Sequence, residues 1–277
     1  MSALEPEILL LGLICGLLVV PRALQRFRVP APLTCLVLGI AASMVAGEYR
    51  GGVTLGLLAT LGISSLFLHA GIEMDIPGLR QGLAVLAGHL VLRSLTVGGL
   101  AWACTNLPGM GWPESILLAL AILTPSTGFI LDSLGRLSLD EHERFWVTNK
   151  AVAGELLALA ALFVVLQSES VERLAMAGGA LVALVALLPF AYLLLGRLVV
   201  KYAPGSEFSL LVMVGLVAAF VTKLLGAYYL VGAFLAGLAA RLLRRSMPGL
   251  ASEPNQQAVN VFASFFLPSA FSRAGWA

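Results

Sequence analysis

The stretch KAVAGELLALAALFVV, residues 150–165, is apolar enough to be cut from a membrane helix, yet it holds a carboxylate, Glu155, in its interior. An ionised side chain in hydrocarbon costs several kcal/mol at least, so such a residue is expected to be paired or functional. Its nearest charged neighbours along the chain are Lys150 and Glu169. Glu155 stands about 18 Å of helical rise from Glu143, near the middle of its segment. A carboxyl group at that depth has the chemistry of a proton acceptor. A Glu satisfied by a buried Arg or Lys is the plainer alternative.

The surrounding chain has the composition of a membrane protein. It is 59% hydrophobic and 12% charged over 277 residues, with a mean hydropathy of +0.96. A soluble domain carries about twice that share of charge. Apolar runs fill almost the whole length and leave no room for a separate soluble domain. Hydropathy divides them into about ten helices, near 6–24, 30–46, 53–74, 82–104, 113–135, 143–167, 172–196, 207–225, 227–244 and 258–273. The junction at 225–227 is the weakest, because Gly226 is its only break. The first run follows Glu5 and Glu7 without a basic flank, which reads as a retained helix rather than a cleaved signal. Cys15, Cys35 and Cys104 have no C-x-x-C spacing and read as small buried hydrophobes.

Charge sorting gives an orientation. With the N-terminus outside and strict alternation, Arg22, Arg26, Arg28, Arg80, Arg136, Arg144, Arg197, Lys201, Arg241, Arg244 and Arg245 are cytoplasmic. Only Arg50 and Arg173 are then outside, a strong positive-inside bias.

The helix before Glu155 contains LTPSTGF, residues 123–129. Pro125 removes a backbone donor and clashes with the preceding turn. Thr124, Ser126, Thr127 and Gly128 surround it well inside an apolar run. Broken helix at membrane depth is tolerated where it lines a cavity or is buried in protein. Its freed carbonyls and hydroxyls are hard oxygen ligands, suited to a small cation. A simple proline kink is the alternative.

The chain also repeats itself. PLTCLVLGIAA (32–42) resembles YLVGAFLAGLAA (229–240), and SSLFLHAGIEMD (64–75) resembles SFFLPSAFSRAG (264–275). The second copy starts from the opposite side of the membrane, the pattern of an inverted repeat, which is common in secondary transporters. The first repeat spans about 1–168, a linker helix about 172–200, and a partial second repeat about 206–277. The second copy reaches Ala277 without counterparts of helices 82–104, 113–135 and 143–167, so this reading expects an incomplete second repeat.

Other charged groups carry less. His89 and Arg93 lie one turn apart on helix 82–104 and share a face. Both are candidate charge partners. Arg93 would pair with Glu155 or bridge helices, and His89 would make an interhelical hydrogen bond. Lys150 and Lys223 are near enough to helix ends to snorkel. Glu73 and Asp75 close helix 53–74 at the cytoplasmic face. DEHER (140–144) lacks the second His of a metalloprotease helix, and G-x-S-x-G, Walker A and dinucleotide glycine fingerprints are absent. No metal centre, cofactor or nucleic-acid site is expected.

These motifs resemble the monovalent cation:proton antiporter family, in particular its Kef-type and related potassium or sodium antiporters. LFLHAGIEMDIPGLR (66–80) is similar to the family's L-F-x-x-G-x-E-x-D segment, and LTPSTGFILDSLGRL (123–137) to its S-S-T segment. GELLALA (154–160) resembles the helix bearing the acidic ion-binding residue. LGAYYLVGAFLAGL (225–238) resembles G-A-F-L-A-G, with SEFSLLV (206–212) upstream. The order is the family's, and the likeness covers nearly all of the chain. It implies a dimerisation domain and a core domain, the latter with two broken helices crossing at midplane beside an acid that binds cation and proton in turn. Glu155 matches that acid, where the family usually has Asp. Gly154 stands where other members have Asn, Asp, Gln or a second acid. Ser126 and Thr127 match the last two residues of S-S-T, and Pro125 replaces the first. The family's second broken helix and its lysine-bearing helix follow the segment similar to 262–275, so Lys223 does not correspond to that lysine.

The expectation is therefore an all-α polytopic membrane protein of inverted-repeat antiporter fold, one transmembrane exchanger domain over residues 1–277. It would exchange a monovalent cation, K+ or Na+, for H+, as a homodimer in a bacterial inner membrane. Glu155, Thr124, Ser126 and Thr127 would bind the ions, with Pro125 and Gly128 breaking the helix. A truncated, non-transporting membrane protein is the alternative of a different class. An intramembrane enzyme using Glu155 and His89 is a third, without a nucleophile or metal triad to support it.

Overall fold

The structure, a computed structural model, describes residues 4–27, 29, 31–46, 52–74, 82–124, 139–167, 170–203, 205–225 and 229–274. The helices among them are α1 (Leu4–Gln25), α2 (Ala31–Ala46), α3 (Gly52–Glu73), α4 (Leu83–Cys104), α5 (Trp112–Leu123), α6 (Glu141–Gln167), α7 (Val171–Tyr202), α8 (Glu207–Leu224), α9 (Tyr229–Leu242) and α10 (Glu253–Ala274). A single 3-10 turn, Leu243–Arg245, extends α9.

Hydropathy places most of these helices to within a few residues, and the exceptions have local causes. α10 begins at Glu253, earlier than the apolar pattern does. Its first turn is polar, but Pro254 is pre-set for a helix start, and Asn255 Nδ2 donates to the Gly249 carbonyl at 2.7 Å. α7 continues to Tyr202 past Pro189. The segment expected as one helix over 113–135 is described as helix only to Leu123, and residues 125–138 lie outside the described residues. At 225–227, α8 ends at Leu224 and α9 starts at Tyr229, so the two are separate helices.

Four helical stretches among the described residues are long and apolar enough to cross a membrane: Thr54–Glu73, Leu83–Cys104, Leu174–Leu198 and Glu207–Leu224. Large apolar side chains such as Leu95, Met176 and Val182 lie exposed along them. In water such a surface would aggregate; in a bilayer it faces lipid.

The chain forms two compact units. One contains Met1–Glu73, Ala183–Val221 and Tyr229–Ala277, and the other Met74–Val182 and Thr222–Tyr228. In the first, α3 packs against α9 and α10, and α10 also packs against α2. Its core gathers Leu68, Ile72, Leu188, Tyr192, Leu211 and Val259. An apolar cavity of about 110 Å³ there is lined by Leu17, Leu58, Phe266 and their neighbours. In the second unit α4, α5 and α6 pack together around Val97, Ala101, Ala119 and Leu120, with Leu157, Ala158 and Leu162 against them.

Glycine contacts in the first unit follow the internal repeat. Gly39 of α2 meets the backbone of Ser272 on α10, and Gly237 of α9 meets the backbone of Leu68 to Ile72 on α3. When the two repeat copies are aligned, Gly39 corresponds to Gly237 and Ser272 to Ile72. The two contacts therefore exchange with one another, as a two-fold relation between the copies requires. Between apolar helices in lipid, such small residues let backbones approach and supply the packing that holds them.

Candidate functional site

The residues that sequence reading singles out and the structure describes (Glu155, Thr124, Arg93 and His89) all lie in the second unit. α5 leads into the site. Gly111 precedes it in an extended conformation, Pro113 occupies its first turn and Glu114 complements its N-terminus. Its 12 residues rise about 18 Å, well short of a hydrocarbon core about 30 Å thick. At Thr124 the backbone turns extended, with φ −93 and ψ 103. The Thr124 N–H still donates to the Leu120 carbonyl at 2.8 Å. Beyond it Pro125 has no N–H to give, so the last carbonyls of α5 need other donors.

One of those donors comes from α4. Arg93 Nη1 donates to the carbonyl oxygen of Leu123, the last residue of α5. The same guanidinium reaches α6: a Cβ placed on Gly154 would lie 3.3 Å from Nη2 and 3.5 Å from Nε. Gly154 is buried and Glu155, next to it, is half-buried. One planar group thus touches both the end of the interrupted helix and the step of α6 that precedes the carboxylate. Arg93 thus joins α4 to both α5 and α6.

His89 departs from expectation. Its ring stands edge-on to Trp146 of α6, with centroids 5.7 Å apart, and its buried Nε2 has no hydrogen-bond partner among the described residues. An aromatic contact takes the place of the expected interhelical hydrogen bond, because the residue that α6 presents there is an indole. Trp146 Nε1 donates instead to His142 Nε2 at 2.9 Å, one turn earlier on α6. From His89–Trp146 to Arg93–Gly154 the contacts advance along both helices in the same direction, so α4 and α6 run parallel. In the first unit, His69 Nε2 pairs with Glu73 Oε1 at 3.2 Å, a partner for Glu73 that the sequence reading left out. Pro125, Ser126, Thr127 and Gly128, and with them Asp75, lie outside the described residues.

The start of α6 is fixed by a device that reading for motifs passed over. The Glu143 N–H donates to Asp140 Oδ1 at 2.6 Å, and the Asp140 N–H donates to Glu143 Oε2 at 3.1 Å. This reciprocal pair is a capping box. Its signal, D-x-x-E ahead of an apolar run, was legible inside DEHER. It sets where α6 begins. Asp140→Ala is expected to cost about 1 kcal/mol, read as a fall in melting temperature of roughly 2–4 °C, with transport retained.

Apolar helices long enough to cross a membrane, among them α4 beside the shorter α5 and the half-buried Glu155 of α6, define an α-helical membrane protein. The chain belongs to the family described as sodium/hydrogen exchanger, transmembrane, which it matches over residues 10–276. It is therefore an integral membrane protein and a transporter rather than an enzyme, and its family activity is cation:proton antiport. No curated protein matches the chain.

Proposed function

We propose that the protein exchanges a monovalent cation, Na+ or K+, for H+ through a single carboxylate, Glu155. The carboxylate is deprotonated when it holds the cation and protonated when the cation leaves. Competition for one group couples the two flows, and movement of the unit that carries it exposes it to each side in turn. Thr124, at the end of α5, and Ser126 and Thr127 beyond it supply oxygen ligands, with Pro125 and Gly128 breaking the helix. The observation that carries this reading is the meeting of α5 and α6 on one guanidinium. Leu123 and Gly154 touch the same Arg93, so the interrupted helix and the acid-bearing helix come together at one level.

Further parts of the reading rest on sequence. The Lys and Arg bias supports an N-terminus outside and cytoplasmic basic loops. The resemblance supports a homodimer in a bacterial inner membrane, with residues 1–277 lying in one exchanger domain. The test is exchange in proteoliposomes: an imposed pH gradient is applied with Na+ or K+ on the opposite side, and cation flux is followed. Flux that requires the gradient and Glu155 supports the reading. Flux of a cation without counter-movement of protons would sink it.

A further inference from the structure

We infer that Arg93 is a positioning residue of the ion site, and that Gly154 is glycine because the Arg93 guanidinium occupies the space a side chain would fill. The inference rests on the reading of Glu155 as the carrier. Three features lead to it. Arg93 Nη1 donates to the carbonyl of Leu123, the last residue of α5. A cation at a helix C-terminus also suits the negative end of the helix dipole. The remaining edge of the guanidinium lies against Gly154, where a Cβ would meet Nη2 at 3.3 Å and Nε at 3.5 Å. The Nη2 distance is tighter than most Cβ contacts, so a bare Cβ needs the guanidinium to give by a few tenths of an ångström, and atoms beyond Cβ would press it away from Leu123.

The consequence is chemical as well as mechanical. Gly154 and Glu155 are consecutive, with Cα atoms about 3.8 Å apart. A fixed planar cation bonded on one side and packed on the other sets the distance between the end of α5 and the Glu155 step of α6. It also removes the Leu123 carbonyl from the oxygens open to a transported ion, leaving Thr124 as the first available ligand on that strand of backbone. Arg suits this post and Lys suits it less, because only a planar fork can bond on one arm and pack flat with the other.

A double-mutant cycle tests it, in the protein reconstituted into liposomes, with Na+ and K+ as probes. Arg93→Ala is expected to raise the apparent KM for the cation about tenfold or more, the scale of losing a group that orients a ligand, with the maximal rate changed much less. Arg93→Lys should recover part of that loss. Gly154→Ser should raise KM in the presence of Arg93 and add little once Arg93 is Ala, because the space is then vacant. Melting temperatures of the same four proteins should show the same non-additivity, a readout that needs no transport. The inference is overturned if Arg93→Ala leaves KM within about twofold of the parent, or if the Gly154→Ser and Arg93→Ala effects simply multiply. Glu155→Gln run alongside separates the two ideas. Exchange surviving in that variant removes the carrier reading, whereas coupling between positions 93 and 154 stands or falls on the melting data.

Discussion

Glu155→Gln, reconstituted into liposomes, is expected to exchange cation at the rate of protein-free vesicles while folding as the parent does. Gln keeps the length and nearly the volume of the side chain and one carbonyl acceptor, but its amide neither ionises nor titrates, so it removes the carrier chemistry and little else. Elution and melting should stay close to the parent's, because the two side chains have the same length and nearly the same volume. Glu155→Asp is the companion variant. It keeps a carboxylate one methylene shorter, and it should retain exchange with an altered apparent KM. Normal elution and melting of the Gln variant together with full loss of flux would support the carrier role. Persistent pH-driven flux in the Gln variant would end it.

Gly237→Val should be among the most damaging substitutions in the first unit. A Cβ at Gly237 would fall on the carbonyl oxygen of Leu68, and close to the Ile72 nitrogen and the Gly71 Cα. Both sides of that contact are backbone, so no side chain can swing aside and α3 and α9 must separate. Overpacking ordinarily costs about 1–3 kcal/mol, and this site lies at or beyond the upper end. A fall in melting temperature of roughly 10 °C, or failure to recover monodisperse protein, is expected. Gly12→Ala is the control: nothing lies within 4 Å of a Cβ there, and Ala favours a helix over Gly by roughly 0.5–1 kcal/mol. If Gly237→Val melts with the parent, the close approach of α3 and α9 is not what holds this unit together.

Much of the molecule was legible in the sequence. Apolar length gave the membrane class and nearly every helix, because a backbone in hydrocarbon must bond within its own segment and leaves few other choices. The described helix ends at Leu123, and Pro125, read in the sequence as a helix breaker, lies outside the described residues. Glu155 stood out because a lone acid in an apolar run is expensive. The capping box at Asp140 was also legible, though it was read past. The start of α10 was not legible from hydropathy, since its first turn is polar and is held by Asn255 instead.

What the sequence by itself determined is therefore the kind of protein, the positions of most of its helices and the occurrence of a carboxylate, Glu155, inside an apolar run. Tertiary structure alone decided which helices meet. Nothing in the order of residues says that Arg93 reaches Leu123 and Gly154, that His89 faces Trp146, or that Gly39 and Gly237 make exchanged contacts with Ser272 and the turn around Leu68. The physical reason is that lipid is as apolar as the helix faces it touches, so hydropathy carries no information about neighbours. Partner choice in a bilayer rests on close packing at small residues and on a few polar groups that must find one another, and those terms exist only once the helices are side by side.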